Sequence, residues 1–243
     1  LESTAMYESG KTLNELIEEG KLHQQFKRLV PFLGEFPLYL HQEKAIEKVA
    51  VQGKNMIVST GTGSGKTECF FILILNYLVE QNAKGELTPG VRALIIHPMN
   101  ALANDQLKRL RAILKEFPKI TFGRYTGETK QNQQDAIDNF KKMNPGQPIL
   151  DNEILSRDEM LDSPPHILLT NYAMLEFLLL RPNTNVFFDG IHSDHWKYIV
   201  LDEAHVYSGA LGSEISYLIA RLKDRIVGGK KGKINFIATS ATL

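Results

Sequence analysis

Short apolar runs alternate along the chain with longer stretches whose apolar residues recur at helical spacing. The runs predict β-strands over residues 56–58, 92–97, 120–125, 166–169, 198–201 and 234–238. The longer stretches predict helices over residues 12–19, 21–30, 41–51, 70–78, 101–117, 128–142, 156–161, 174–180 and 213–227, with a turn at 228–232. Such alternation is typical of an α/β fold with three layers, in which helices cover both faces of a central, mainly parallel sheet.

The first 36 residues stand apart from this alternation. They hold two helical stretches, the first with a capping box formed by Thr12 and Glu15. Pro31, Gly34 and Pro37 then interrupt the helical spacing. We therefore predict a short helical extension over residues 1–36 and a main domain over residues 37–243.

A glycine-rich turn lies between the strand predicted at 56–58 and the helix predicted at 70–78. Strand, glycine-rich loop and helix are the three parts of a phosphate-binding loop, in which backbone N–H groups surround an anion. A chance glycine-rich turn is the alternative, and the strand-to-helix context argues against it. The predicted nucleotide-binding residues are Thr60, Gly61, Thr62, Gly63, Ser64, Gly65, Lys66 and Thr67. Thr60 occupies a position where this motif usually has Gly or Ala, and its small side chain should still allow the loop to close.

The amino-acid composition indicates the cellular compartment of the protein more clearly than its function. The chain has 28 basic and 28 acidic residues, and this balance neither indicates nor excludes nucleic acid, because a local basic face can bind phosphates. Its single cysteine, Cys69, allows no disulfide framework and fits a reducing, cytoplasmic location. No signal peptide is visible, and the longest apolar run, residues 70–79, is too short to cross a membrane.

An acidic pair follows the predicted strand at 198–201. Asp202 is suited to hold Mg²⁺, and Glu203 to orient the water that attacks a γ-phosphate and accept its proton. His205 lies close enough in sequence to respond to the presence of phosphate. Polar residues follow the other strands as well, and because ligands bind at the carboxyl ends of parallel strands, all these motifs should lie along one edge of the sheet.

Taken together, Gln42, the phosphate loop, Asp202-Glu203-Ala204-His205 and Ser240-Ala241-Thr242 resemble the first RecA-like lobe of a superfamily 2 DEAD/DEAH-box helicase. The resemblance covers residues 37–243 in family order. The amino-acid sequence around these motifs is most similar to that of the YprA/MrfA-like and Lhr-like DNA helicases. It is carried by HPMNALANDQ at 97–106, LLTNYAMLEFLLLRP at 168–182 and LDEAHVYSGALGSE at 201–214.

The resemblance implies a role for each matched position. Gln42 would read adenine, the phosphate loop would bind ATP, and Thr67 and Asp202 would hold Mg²⁺. Lys66, Asp202, Glu203 and His205 would form the catalytic group. Ser240 and Thr242 would couple the nucleotide state to nucleic acid and to a second RecA-like lobe. Contacts to the backbone of one DNA strand would come from Pro98, Asn100, Thr126, Gly127, Thr170 and Asn171. Helix capping is the alternative for Asn100, Thr170 and Asn171, since each precedes a predicted helix.

Two classes of function remain open at this stage. The first is the motor lobe of an ATP-dependent helicase or translocase, with DNA favoured over RNA as its track. The second is a nucleotide-gated module that controls protein partners, or the motor of a restriction or phage-defence complex, without strand separation. In either case a lobe alone, without its partner lobe, is expected to hydrolyse ATP slowly or not at all.

Overall fold

The computed structural model describes residues 7–227 and 234–242 of the chain. In this part the strands are β1 Met56–Ser59, β2 Ala93–His97, β3 Phe122–Arg124, β4 Glu153–Ile154, β5 Ile167–Asn171, β6 Tyr198–Leu201 and β7 Asn235–Ser240. They form one sheet in the order β1-β7-β6-β2-β5-β3-β4, and all neighbouring strands are parallel. The predicted α/β fold with a parallel sheet is confirmed.

In the described residues, three helices precede β1 and one helix lies between each pair of consecutive strands. They are α1 Leu13–Glu18, α2 Val30–Leu33, α3 Leu40–Ile46, α4 Lys66–Lys84, α5 Asn100–Leu114, α6 Gln133–Met143, α7 Arg157–Asp162, α8 Tyr172–Leu180 and α9 Gly209–Val227. Short 3₁₀ turns cover Gln24–Arg28, Pro182–Phe187 and Ala204–Val206, and a π-helical turn covers Glu47–Val51. The capping boxes at Thr12 and Ser156 start α1 and α7, because each hydroxyl accepts the N–H of a glutamate three residues on.

Two hydrophobic layers sandwich the sheet. Ala93 and Ile95 of β2 belong to one buried cluster, while Leu94 and Ile96 of the same strand belong to the other. Successive side chains of a strand point to opposite faces, so a continuous apolar run is what a strand covered on both sides requires. Burial on both faces is also why these strands lack the polar–apolar alternation of a half-exposed sheet.

The N-terminal residues pack into the main hydrophobic cluster. Leu16, Phe26 and Leu29 are buried in the same cluster as the apolar side chains of α4. The backbone of Gly10 and Leu40 pairs with Leu38 and Glu8, which ties the N-terminal segment to the start of α3. A domain boundary at residue 36 stays a prediction, and residues 13–30 contribute directly to the core of the main domain.

The structure differs from the sequence-based expectation in several places. The helix predicted at 70–78 spans Lys66–Lys84, and the helix predicted at 128–142 begins at Gln133. The helix predicted at 21–30 is a 3₁₀ turn followed by the short α2, and Pro31 lies in the first turn of α2, where a missing N–H breaks no helical hydrogen bond. The two-residue strand β4 was not predicted, since it lies in a region rich in proline and charge. The π-helical turn ends the helix predicted at 41–51. The turn predicted at 228–232 lies outside the described residues.

Candidate nucleotide-binding site and nucleic-acid edge

The glycine-rich loop joins β1 to α4. Gly63 and Gly65 have φ of 74° and 71°, left-handed conformations that glycine adopts without strain. A β-carbon on Gly65 would lie 2.4 Å from the side-chain nitrogen of Gln42, so any side chain there would displace the glutamine. Helix α4 begins at the next residue, and its first N–H groups have no partner within the helix. This loop therefore has the backbone geometry that binds a phosphate.

The ammonium group of Lys66 lies inside this loop. The residue is 7% exposed, and Nζ donates to the carbonyl oxygens of Thr60 and Gly61 at 3.0 Å each. Both acceptors are neutral, so the positive charge is available to an anion that enters the loop. The hydroxyls of Thr60 and Ser64 are 2.6 Å apart and close the base of the loop, whereas Thr62 is exposed at its mouth. Thr60 thus takes the place of the usual small residue without opening the turn.

Gln42 connects the start of α3 to the phosphate loop. Its Oε1 accepts the N–H of Tyr39 at 2.9 Å, and its Nε2 donates to the carbonyl of Gly65 at 2.9 Å. The residue is 5% exposed, and each end of its amide keeps one unused hydrogen-bonding position. Its predicted contact with adenine remains a prediction, to be made through those two positions. The neighbouring His41 also holds the loop, with Nε2 lying 2.9 Å from the carbonyl oxygen of Ser64.

Thr67 lies on the first turn of α4, where its hydroxyl is near a residue of α5. Nε2 of Gln106 is 3.4 Å from Thr67 Oγ1, and Gln106 Oε1 is buried without a hydrogen-bond partner. Arg109, one turn further along α5, pairs with Glu68. Helix α5 therefore packs against the start of α4 through polar side chains, a contact that no sequence pattern predicts.

Asp202 follows β6 and is held from two sides. Its Oδ2 lies 3.1 Å from Nδ1 of His97, and its Oδ1 accepts the hydroxyl of Thr239 at 2.5 Å. Burial by itself would raise the pKa of this carboxyl, but hydrogen bonds from His97 and Thr239 outweigh burial and hold the pKa below its ordinary value. Asp202 is therefore a buried, fully ionised carboxylate at neutral pH.

Glu203 has an unusual backbone and an unpaired carboxylate oxygen. Its φ is 50°, and its N–H donates to Thr239 Oγ1 at 3.0 Å. Nδ1 of His205 lies 3.2 Å from Glu203 Oε2 and 3.3 Å from the backbone nitrogen of Ala241. A nitrogen that accepts the Ala241 N–H carries no proton to donate, so Oε2 is left as a buried acceptor without a donor. Such an oxygen is suited to accept a proton.

The sheet brings the phosphate loop and the acidic pair together. Strand β7 lies between β1 and β6, with Ser59 opposite Ser240 and Leu201 opposite Ala238. The carbonyl of Ser240 accepts the N–H of Thr60 at 3.2 Å, which links the last residue of β7 to the phosphate loop. The Ser240 hydroxyl donates to the carbonyl of Thr242 and accepts its N–H, so this turn closes on itself.

A second group of polar side chains follows β2, β3 and β5. Nδ2 of Asn171 donates to Oδ1 of Asn100 at 2.8 Å, and Nδ2 of Asn100 donates to Oε1 of Glu128 at 3.0 Å. Asn171 also caps α8 by accepting the N–H of Met174, which confirms the capping alternative for this residue. Asn100 is instead the first residue of α5 and forms no cap. Pro98, Asn100 and Asn171 are partly exposed, and Gly127 is exposed, so these four lie on one accessible edge.

Two threonines predicted to contact nucleic acid are buried. Thr170 is 0% exposed, and its hydroxyl donates to the carbonyl of Tyr125 at 2.7 Å, where it joins the ends of β5 and β3. Thr126 is also 0% exposed, and its carbonyl accepts from Arg157 at 3.0 Å. The structure thus corrects the prediction for these two side chains. Each is buried beneath the accessible edge and has no surface that a phosphate can contact.

The side chains of the phosphate loop and the acidic pair fit a nucleotide and a divalent cation. The loop supplies N–H groups and one ammonium, and Thr67 and Asp202 supply the oxygen ligands that Mg²⁺ prefers. Oε2 of Glu203 is buried and receives no hydrogen bond from the protein, so it is suited to accept one from a water molecule beside the nucleotide and the cation. Cys69, in contrast, has no place in this chemistry, because burial raises the pKa of its thiol to about 12.

Comparison with known proteins identifies the family. Residues 39–243 match the family described as DEAD/DEAH box helicase. The chain belongs to this helicase family. Within it, the chain is 30% identical to YprA of Bacillus subtilis (strain 168), over 85% of this chain and 23% of that protein. It is also 30% identical to the Druantia protein DruE of Escherichia coli (strain UMEA 4076-1), over 100% of this chain and 18% of DruE.

Solved structures agree with this assignment. The DUF1998 helicase MrfA bound to DNA and AMPPNP has a TM-score of 0.70 and 27% identity, over 98% of this chain and 28% of that one. The DEAD-box helicase Mss116, at 22% identity and a TM-score of 0.68, shows the same fold. The predicted resemblance to YprA, MrfA and Lhr helicases is confirmed, since helicases named YprA, MrfA and Lhr-Core all match this chain. The chain spans only 18% to 28% of the length of YprA, DruE and MrfA.

Several residues that hold the site were not among those predicted from the sequence. His97 and Thr239 bind Asp202, Gln106 reaches Thr67, and Arg157 supports the turn at Thr126. His97 and Thr239 were open to prediction, because they end or nearly end strands whose carboxyl ends form the site. Gln106 and Arg157 lie within helices and carry no such signal. No helix in the described ranges has the length and hydrophobicity needed to span a bilayer.

Proposed function

We propose that this chain is the ATP-binding motor lobe of an ATP-dependent DNA helicase or translocase. One observation carries the proposal: the phosphate loop, the Ser240–Thr242 turn and the acidic pair follow three adjacent parallel strands, β1, β7 and β6. The phosphate loop is hydrogen-bonded to Ser240 through the N–H of Thr60, and the neighbouring Thr239 is hydrogen-bonded to Asp202 and Glu203, so a change at the nucleotide can act on the acidic pair through the end of β7. Relatives that span several times the length of this chain support the further proposal that a second RecA-like lobe completes the cleft.

The roles at the nucleotide follow from the side chains. Backbone N–H groups of the loop and the ammonium of Lys66 bind the phosphates of ATP, and Gln42 contacts the adenine. Thr67 and Asp202 hold Mg²⁺, which when bound neutralises charge on the β- and γ-phosphates. Glu203 orients the attacking water and accepts its proton at Oε2. Nδ1 of His205 accepts the N–H of Ala241 and lies 3.2 Å from Glu203 Oε2, so His205 stands between the carboxylate and the Ser240–Thr242 turn, where it connects hydrolysis to that turn.

The edge formed by Pro98, Asn100, Gly127 and Asn171 is the proposed track for one nucleic-acid strand. Amide side chains and exposed backbone contact phosphates without reading bases, which suits movement along any sequence. DNA is favoured over RNA because the MrfA helicase, at 27% identity, binds DNA. A cytoplasmic location, expected from the single buried cysteine, belongs to the same proposal.

A nucleotide-gated module without hydrolysis is the competing function. The carboxylate of Glu203 argues against it, because a module that only binds nucleotide has no use for a buried proton acceptor beside the phosphate site. Control of protein partners in a larger complex is compatible with the motor and requires no change in these roles.

Nucleotide binding is tested first on the chain itself with a fluorescent ATP analogue, mant-ATP. Lys66→Ala should weaken binding about 10- to 100-fold, the usual effect of losing a charged hydrogen-bond donor. Lys84→Ala is the matched control, since Lys84 ends the same helix and is exposed. Equal affinity of wild type and Lys66→Ala would refute the phosphate-loop assignment.

The motor function is tested on the whole protein by its ATPase rate. The rate is measured without nucleic acid and with single-stranded DNA, duplex DNA or RNA. Strong stimulation by DNA is expected, and stimulation by RNA alone would reassign the track. A rate that is indifferent to all three nucleic acids would favour the nucleotide-gated module.

A further inference from the structure

His97 is buried beside the acidic motif and has no role in the proposed chemistry so far. It is the last residue of β2 and is 0% exposed. Strands β2 and β6 are neighbours, with Ile96 opposite Leu201, so His97 and Asp202 stand side by side where the two strands end. The distance of 3.1 Å between Nδ1 and Oδ2 is that of a hydrogen bond.

The direction of this hydrogen bond is fixed by the charge of its acceptor. Asp202 is ionised and can only accept, so the proton lies on His97 Nδ1. In the neutral ring, Nε2 is then an acceptor, and it is buried without a hydrogen-bond partner. A buried polar atom without a partner lowers the stability of the folded state. Packing alone does not account for an imidazole here, because an apolar side chain would fill the space without that cost.

The bond to His97 completes the support of the carboxylate. Thr239 binds Oδ1 and His97 binds Oδ2, so neither oxygen can rotate without losing a donor. The Thr239 hydroxyl alone would leave the carboxylate free to turn about its bond to the β-carbon. A metal ligand that is already oriented loses less entropy when it binds, which is why residues behind metal ligands commonly affect metal affinity.

We infer that His97 is a positioning residue that fixes the Asp202 carboxylate in the orientation in which it binds a magnesium–nucleotide complex. This inference rests on the proposed function, because it assumes that Asp202 binds the cation. It adds a residue outside the acidic motif, from the neighbouring strand, and it predicts that the polar atom at one ring position matters while the other does not.

The test compares three substitutions of His97 by mant-ATP binding, each measured with magnesium and with EDTA. His97→Leu removes the donor. His97→Asn places its amide nitrogen near the position of Nδ1, whereas His97→Gln extends its amide toward the position of Nε2. With EDTA, all variants should bind within about twofold of wild type, which also shows that the phosphate loop is folded. With magnesium, wild type and His97→Asn should bind more tightly, while His97→Leu and His97→Gln lose about tenfold of that gain.

The outcomes separate this inference from the function on which it rests. If wild type does not bind mant-ATP under either condition, the proposed function is wrong and the inference falls with it. If wild type gains affinity with magnesium and His97→Leu gains as much, His97 does not position Asp202. If His97→Asn and His97→Gln lose the gain equally, the imidazole acts by packing and the inference is overturned. The Asn and Gln pair decides the question even where His97→Leu fails to fold.

Discussion

The backbone of Glu203 offers a sharp test of how the acidic motif is built. With φ of 50° and ψ of 49°, it is the one residue other than glycine with positive φ in the described ranges 7–227 and 234–242. A β-carbon in this conformation costs roughly 1–2 kcal/mol compared with glycine. The surrounding structure maintains it, in part through the hydrogen bond from the Glu203 N–H to Thr239.

Two substitutions separate this backbone cost from the loss of the carboxylate. Glu203→Ala and Glu203→Gly both remove the side chain that is proposed to activate water, so on that proposal neither variant should hydrolyse ATP. They differ in the β-carbon, which alanine keeps. Glycine loses more conformational entropy on folding, about 0.5–1 kcal/mol, and relief of the strain exceeds that loss. We therefore expect Glu203→Gly to be more stable than Glu203→Ala by about 1 kcal/mol.

Urea unfolding followed by circular dichroism measures this difference, which corresponds to about 2–4 °C in Tm for a domain of this size. Lys108 provides a control with the opposite sign, because it is exposed within α5, where alanine should exceed glycine by about 1 kcal/mol. If Glu203→Ala proves as stable as Glu203→Gly while the Lys108 pair behaves as expected, the left-handed backbone at Glu203 carries no strain and the reasoning is refuted.

Two further predictions concern the nucleic-acid edge and the response to pH. Asn171→Ser keeps the cap of α8 but loses the donor to Asn100, so single-stranded DNA affinity should fall severalfold with stability nearly unchanged, while Asn171→Ala should also lose about 1 kcal/mol. Unchanged DNA binding by Asn171→Ser, in a titration of labelled DNA, would remove the amide from the track. Burial, with the charge of Arg92, lowers the pKa of His166 from 6.5 to about 3. As the pH falls from 6.5 toward 3, this histidine takes up a proton in the unfolded chain but not in the folded one, so the free energy of unfolding of wild type decreases. His166→Gln lacks this titration, so between pH 6.5 and about pH 4 its free energy of unfolding should decrease by about 3 kcal/mol less than that of wild type. The free energies of unfolding are measured with urea across that pH range, and an equal decrease for the two proteins would contradict this prediction.

Local sequence determined much of the site. The apolar runs placed β1, β2 and β6 to within about two residues, and the phosphate loop and acidic pair followed from their positions at strand ends. These features were predictable because side-chain periodicity and the conformational freedom of glycine act over a few neighbouring residues. Short irregular segments were not predicted, since β4 has only two residues and the 3₁₀ turn Gln24–Arg28 lies in a stretch with the apolar spacing of an α-helix.

Only the tertiary structure decided which polar groups meet. His97 and Asp202 are 105 residues apart, and their contact exists because β2 and β6 are neighbours in the sheet. The same applies to Thr170. Its hydroxyl is buried only because β3 lies beside β5, which brings the carbonyl of Tyr125 within hydrogen-bond distance. The sequence by itself determined where strands end and which side chains follow them. Strand order and packing determined which of those side chains are exposed and which partners they bind, because both depend on contacts between residues far apart in the chain.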